Sequence, residues 1–120
     1  MDWRGEQIPG GAGEARLFVK FDSWHAGLLP LIQSAFPTVP WIFMIRDPVE
    51  VIVSHLRRPG AQMVPGMLGY TPTGVDPQAA WALPRAEYCA RMLGTLCETA
   101  EAALAAVPPG LARVVDYARL

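Results

Sequence analysis

The chain has 120 residues, enough for one domain and too short for two. Hydrophobic residues make up 52% and charged residues 18%, which excludes a chain disordered throughout. The formal net charge is −1, and the ten basic residues are nine Arg and the single Lys20 with no basic stripe, which argues against a nucleic-acid-binding module.

Residues 1–15 read as a flexible N-terminal segment, with Gly10, Gly11 and Gly13 after Pro9 and no apolar period. Residues 16–120 read as one domain. The run Leu17-Phe18-Val19-Lys20-Phe21 is β-prone and predicts a buried strand. Asp22-Ser23 is a helix-start signal. From Trp24 to Phe36, Leu28, Leu29, Ile32 and Phe36 recur at helical spacing, interrupted by Gly27 and Pro30. Trp41 to Ile45 is apolar at every position, as in a strand covered on both faces of a parallel sheet. Arg46-Asp47-Pro48 follows. Asp47 suits the N-cap, Pro48 the first helical position, and Glu50 completes a capping box, so a helix is expected to about Arg58, before Pro59-Gly60.

Residues 59–78 hold four Pro and four Gly and read as a long irregular loop. Gln78 to Val107 is Ala-rich and predicts a long helix with Met92, Leu96, Ala100, Ala103, Leu104 and Val107 on one face. Pro84 either kinks this helix or marks its true start. Ala112 to Tyr117 reads as a third strand. The alternation predicts an α/β fold with parallel strands and covering helices.

No apolar run approaches the roughly 18 residues of a membrane helix, and no secretory h-region opens the chain. Cys89 and Cys97 lie eight residues apart, about 12 Å along one helix, too far for a disulfide. Both read as reduced, which places the protein in the cytoplasm. No His, Cys or Asp spacing suggests a metal site.

The junction Arg46 to Ser54 carries the chemistry. Ligands of open parallel sheets bind at the carboxyl ends of the strands, where Arg46 stands. A helix N-terminus follows, expected to offer free N–H groups and a positive dipole end to a phosphate, and Ser54 lies on the same face as Asp47, two turns on. Arg46 and Ser54 are therefore placed to grip one phosphate from two sides. The bland alternative pairs Arg46 with a carboxylate and leaves Ser54 as a solvated helix position.

The 47-residue stretch Leu17 to Met63, LFVKFDSWHAGLLPLIQSAFPTVPWIFMIRDPVEVIVSHLRRPGAQM, resembles the central part of PAPS-dependent sulfotransferases. These enzymes move a sulfuryl group from 3′-phosphoadenosine 5′-phosphosulfate to a hydroxyl or amine. The resemblance rests on an apolar strand ending in Arg46-Asp47-Pro48, with Val51 and Ser54 at the family's offsets, on the upstream strand with Lys20, and on Phe36-Pro37. The final Val115-Asp116-Tyr117-Ala118-Arg119-Leu120 looks like a degraded copy of a later family strand. The resemblance implies a P-loop-type three-layer α/β domain, PAPS as co-substrate, and Arg46 and Ser54 as ligands of its 3′-phosphate.

Two departures accompany the resemblance. The family's Lys-containing phosphosulfate loop is missing, as is its Gly- and Lys-rich C-terminal loop, so the domain is expected to be incomplete and this chain alone to lack full transfer activity. Asp22 stands where many members carry a catalytic His. It is a candidate general base or simply a helix cap, and His25 is the further proton-transfer candidate or a surface His. His55, Arg57 and Arg58 suit either the anionic donor or the helix C-terminal dipole. Trp24 and Trp41 suit adenine stacking or core packing. Met63, Met67, Leu68 and Tyr70 suit an acceptor pocket or packing of the loop.

The leading expectation is a sulfotransferase-like protein with an unidentified acceptor. The second is a non-catalytic remnant or interaction module whose exposed sheet edge invites a partner chain or self-association. A phosphoryl-transfer enzyme is the third, disfavoured because GxxxxGK[ST] is absent.

Overall fold

A computed structural model describes residues 16–69 and 75–120. The N-terminal lead-in and Tyr70 lie outside the described residues. In chain order the elements are a 3₁₀ turn Ser23–Leu28, α1 (Leu29–Ala35), β1 (Trp41–Ile45) and α2 (Pro48–Arg57). A short turn Ala61–Met63, α3 (Pro77–Ala82), α4 (Arg85–Ala105), β2 (Ala112–Asp116) and a final turn Tyr117–Arg119 follow. β1 and β2 pair in parallel, with Trp41 opposite Ala112 and Ile45 opposite Asp116. Parallel strands need a crossover of a dozen or more residues, and α2, α3 and α4 supply it. The fold is a small mixed α/β domain.

The core is helical. Ala26, Met63, Ala80, Tyr88, Cys89, Met92 and Leu96 form one buried cluster, with Leu29, Ile52, Val75 and Leu83 packed against it. α4 supplies the spine, because Tyr88, Cys89, Met92, Leu96 and Ala100 fall on one stripe of its surface. Ala103, Leu104 and Val107 continue that stripe half-buried.

Neither strand contributes a buried residue. Side chains alternate across a strand, so Ile42 and Met44 share one face and Trp41, Phe43 and Ile45 the other. Ile42 is 60% exposed and Met44 48%. Trp41 and Phe43 are half-buried, so the sheet is not covered on both faces as the unbroken apolar run of β1 predicts.

Two further differences from the sequence reading have plain causes. Leu17–Phe21 is not a strand and has no ladder partner among the described residues. A strand exists only through its pairing, and β propensity alone does not create the partner. The long helix from Gln78 is broken at Leu83-Pro84. Proline disfavours the α region for the residue before it and cannot donate to the turn behind it. Leu83 accordingly adopts ψ 145° and Pro84 ψ 136°, and α4 starts at Arg85.

The segment Trp24 to Phe36 is helical but mixed. It winds as a 3₁₀ turn through Gly27 and becomes α-helical only at Leu29, with Pro30 in the first turn, where no N–H is missed. Gly110 sits at φ 87° in the turn before β2. That left-handed conformation suits Gly and strains other residues. Next to it, Leu111 accepts a 3.0 Å hydrogen bond from the Trp41 N–H and starts the ladder.

Candidate functional site

The carboxyl ends of β1 and β2 form the candidate site. The parallel register sets Ile45 beside Asp116, and one step on Arg46 meets Tyr117. The Arg46 guanidinium carbon lies 5.0 Å from the centre of the Tyr117 ring, a cation–π contact. Tyr117 is held by the turn that Asp116 starts, because the Asp116 carboxylate accepts the Ala118 N–H at 3.0 Å. Arg119 Nε adds an ion pair to Asp116 at 3.6 Å.

Arg46 also pairs with Glu50 at 3.2 Å, and its side chain stays half exposed. Glu50 and Ser54 are four residues apart on α2, so they lie one above the other on the same face. Glu50 thus stands between Arg46 and Ser54. The Ser54 residue is exposed, and its hydroxyl makes no hydrogen bond among the described residues. The structure places the two on one ridge without bringing them into contact. The carboxylate alternative foreseen for Arg46 is the pairing observed. Such an exposed pair contributes only about 0.3–0.5 kcal/mol, so a phosphate could displace it.

The helix N-terminus itself is closed to anions. Asp47 Oδ1 accepts Val49 N–H at 2.8 Å and Glu50 N–H at 3.2 Å. Pro48 has no N–H, and Val51 N–H donates to the Asp47 carbonyl at 3.1 Å. Every first-turn donor is spent. The expectation of free helix amides for a phosphate is therefore corrected, because the residue that caps α2 so well occupies them. Any phosphate here must be held by side chains. The reciprocal half of the predicted capping box is likewise replaced, since the Glu50 carboxylate turns to Arg46.

Asp22 and His25 sit apart from Arg46 in the chain, at the start of the 3₁₀ turn. His25 Nδ1 accepts the Asp22 backbone N–H at 3.1 Å, and its ring stacks on Trp24 with centroids 3.7 Å apart. Phe21 meets the same ring edge-on at 5.6 Å. Asp22 is exposed. This geometry serves helix initiation. Lys20 is exposed on the preceding segment.

His55 Nδ1 accepts the Gly60 N–H at 3.1 Å, so it stitches the chain after α2 back onto the helix. Trp41 donates its indole N–H to Gln33 at 2.8 Å and is half-buried. Neither Trp24 nor Trp41 joins the buried cluster. Of the loop residues, Met63 is core and Met67 is exposed. A shallow concavity is lined by Met63, Pro65, Trp81, Leu83, Arg85 and Tyr88.

Tyr117 and Glu50, the two residues that engage Arg46, were missed as site residues by sequence reasoning. The i, i+4 spacing of Arg46 and Glu50 was a legible signal for one of them. Tyr117 lies 71 positions beyond Arg46 and becomes its neighbour only through the strand register. Among the described residues no group of three or more His, Cys, Asp or Glu side chains is placed to hold a metal. No helix among them is long and apolar enough to cross a membrane. No family model, curated protein or solved structure matches the chain.

Proposed function

We propose that this chain is a sulfotransferase-like nucleotide-binding domain that takes the 3′-phosphate of 3′-phosphoadenosine 5′-phosphosulfate. One observation supports the reading most. Arg46, the residue the family resemblance singles out, stands at the carboxyl end of a parallel strand with its guanidinium oriented over Tyr117 and half exposed. Its planar fork matches phosphate oxygens, and the unbonded Ser54 hydroxyl lies farther along the same helix ridge. The P-loop-type assignment rests on the resemblance.

The donor set fits only part of the nucleotide. Arg46 and Ser54 suit the 3′-phosphate. The 5′-phosphosulfate needs a lysine set beside a cradle of backbone amides, and the chain's one lysine, Lys20, is exposed on the segment ahead of the first 3₁₀ turn and not at a strand-to-helix junction. The domain therefore binds donor without activating its sulfuryl group, and we assign no acceptor to it. Cys89 and Cys97 are free thiols on one helix, which suits a reducing compartment such as the cytoplasm.

Equilibrium dialysis with sulfur-labelled PAPS tests this reading. Retention of label that adenosine 3′,5′-bisphosphate displaces and 5′-AMP does not, without label passing to a panel of hydroxyl and amine acceptors, is the expected result. Displacement by both nucleotides alike contradicts a 3′-phosphate site. Label on an acceptor contradicts the incomplete activation.

The uncovered sheet favours a second reading, an interaction module of the same fold. Parallel sheets occur almost only with both faces covered, and here every residue of both strands is at least partly exposed.

A further inference from the structure

We propose that two copies of this chain pair by exchanging the segment Leu17–Phe21, each adding it as a strand to the free edge of the other's β1. Two unsatisfied features of one molecule carry the inference. The first is the edge of β1. The described sheet has two strands, so β1 has β2 on one side and an unpaired row of N–H and C=O groups on the other. An isolated pair of five-residue strands is marginal, and a third strand changes that.

The second feature is the segment itself. Leu17 is 85% exposed, Phe18 81% and Val19 62%. Large β-branched and aromatic side chains in sequence, with no charge but Lys20, have the chemistry of a sheet strand. Its exposed side chains match the apolar Ile42 and Met44 on one face of β1 in kind.

The partner is a second copy because the single chain leaves both features unpaired among the described residues. The 3₁₀ turn that follows the segment is pinned in the core through Ala26, beside Met92 and Leu96 of α4. The core holds no residue of the sheet. Among the described residues the segment makes no ladder with the edge that its own sequence suits. A second copy brings an identical segment and an identical edge without that tether. Reciprocal exchange closes the pair, so both edges and both segments are used once. A net charge of −1 raises no long-range repulsion between copies. This inference does not depend on nucleotide binding.

Light scattering coupled to size-exclusion chromatography, over a range of protein concentrations, tests the exchange. The expected result is a concentration-dependent species of twice 13.1 kDa. Val19→Pro removes a ladder donor in a segment that is exposed in the monomer, so its far-UV circular dichroism is expected to match the parent. It should raise the dimer dissociation constant about tenfold or more, as the loss of one ladder position implies. A second experiment mixes a chain carrying Val19→Cys with one carrying Phe43→Cys, both with Cys97→Ser, under mild oxidant. Interchain disulfides formed in the mixture and absent from either chain alone support the exchange. A monomer at every concentration overturns it, as does a dimer indifferent to Val19→Pro. Bridging within one chain when both cysteines are placed in it, with none between chains, assigns the edge to the chain's own segment and also overturns it.

Discussion

The guanidinium of Arg46 rests over the ring of Tyr117 at 5.0 Å, although the two residues come from the ends of strands separated in the chain by α2, α3 and α4. The contact orients the fork and leaves half of the side chain open to a ligand. A cation–π contact at an exposed site is worth about 0.5–1 kcal/mol. Tyr117→Leu is therefore expected to weaken binding of adenosine 3′,5′-bisphosphate about two- to fivefold by titration, with little change in folding stability. An unchanged affinity would show that Tyr117 plays no part in orienting Arg46.

Glu50 competes with the ligand for the same guanidinium. Replacing it by Gln removes the ion pair and a negative charge from the ridge that leads to Ser54. Glu50→Gln should tighten bisphosphate binding about twofold, the size of an exposed i, i+4 pair. Ser54→Ala should weaken it about tenfold, as for a hydrogen bond to a charged group. The two titrations must move in opposite directions. If both variants bind like the parent, the phosphate does not lie along this ridge.

Asp47 is a structural residue at the edge of the site. It spends its carboxylate on two backbone amides of α2. Asp47→Ala should cost about 1 kcal/mol, seen as a lower midpoint in chemical denaturation. Asp47→Asn keeps an accepting oxygen and should lose much less. An equal loss in both would mean that charge, and not the cap, carries the effect.

The two cysteines should behave as opposites. Cys97 is exposed and Cys89 is buried among the core residues of α4. Burial raises the Cys89 thiol above its ordinary value, with Arg85 pulling slightly the other way. Tyr88 beside it is raised too, first by burial and then by the Cys89 charge. Iodoacetamide at neutral pH should modify Cys97 quickly and Cys89 only when the chain opens. The sign of the pH effect follows from linkage. A thiol raised in the folded state ionises first in the unfolded chain, so its contribution is intact below the unfolded value near 9 and is lost as pH climbs beyond it. Denaturation midpoints in a Cys97→Ser background should hold from pH 7 to 8 and fall above about 9. A midpoint that rises with pH in that window would contradict the burial of Cys89 as the cause.

β1, α2, β2 and the spine of α4 were legible in the sequence because each has a local cause. An apolar run names β1, Asp47-Pro48 names the start of α2, and the Met92-Leu96-Ala100 stripe names the buried face of α4. Leu17–Phe21 was misread as a strand, because a strand exists only through its pairing and propensity is silent about whether a partner stands beside it. Pro84 left two outcomes open, and the preference of Leu83 for extended backbone decided for a new helix start. In the site, Arg46 and Ser54 were read from spacing. The closing of the α2 amides by Asp47 was implicit in the same cap that marked the helix, since an oxygen that caps a helix also occupies its anion-binding donors. Tyr117 was beyond reach of spacing, because only the register of two parallel strands makes it a neighbour of Arg46.

Calorimetric titration with adenosine 3′,5′-bisphosphate, set against 5′-AMP and repeated on Arg46→Ala, tests the central claim most directly. The account predicts that the bisphosphate binds the parent chain at least about tenfold more tightly than AMP, a difference of roughly 1.4 kcal/mol, and that Arg46→Ala erases this preference while unfolding at a similar midpoint. Equal affinities for the two nucleotides, or a preference that survives Arg46→Ala, would contradict a 3′-phosphate site at the end of β1.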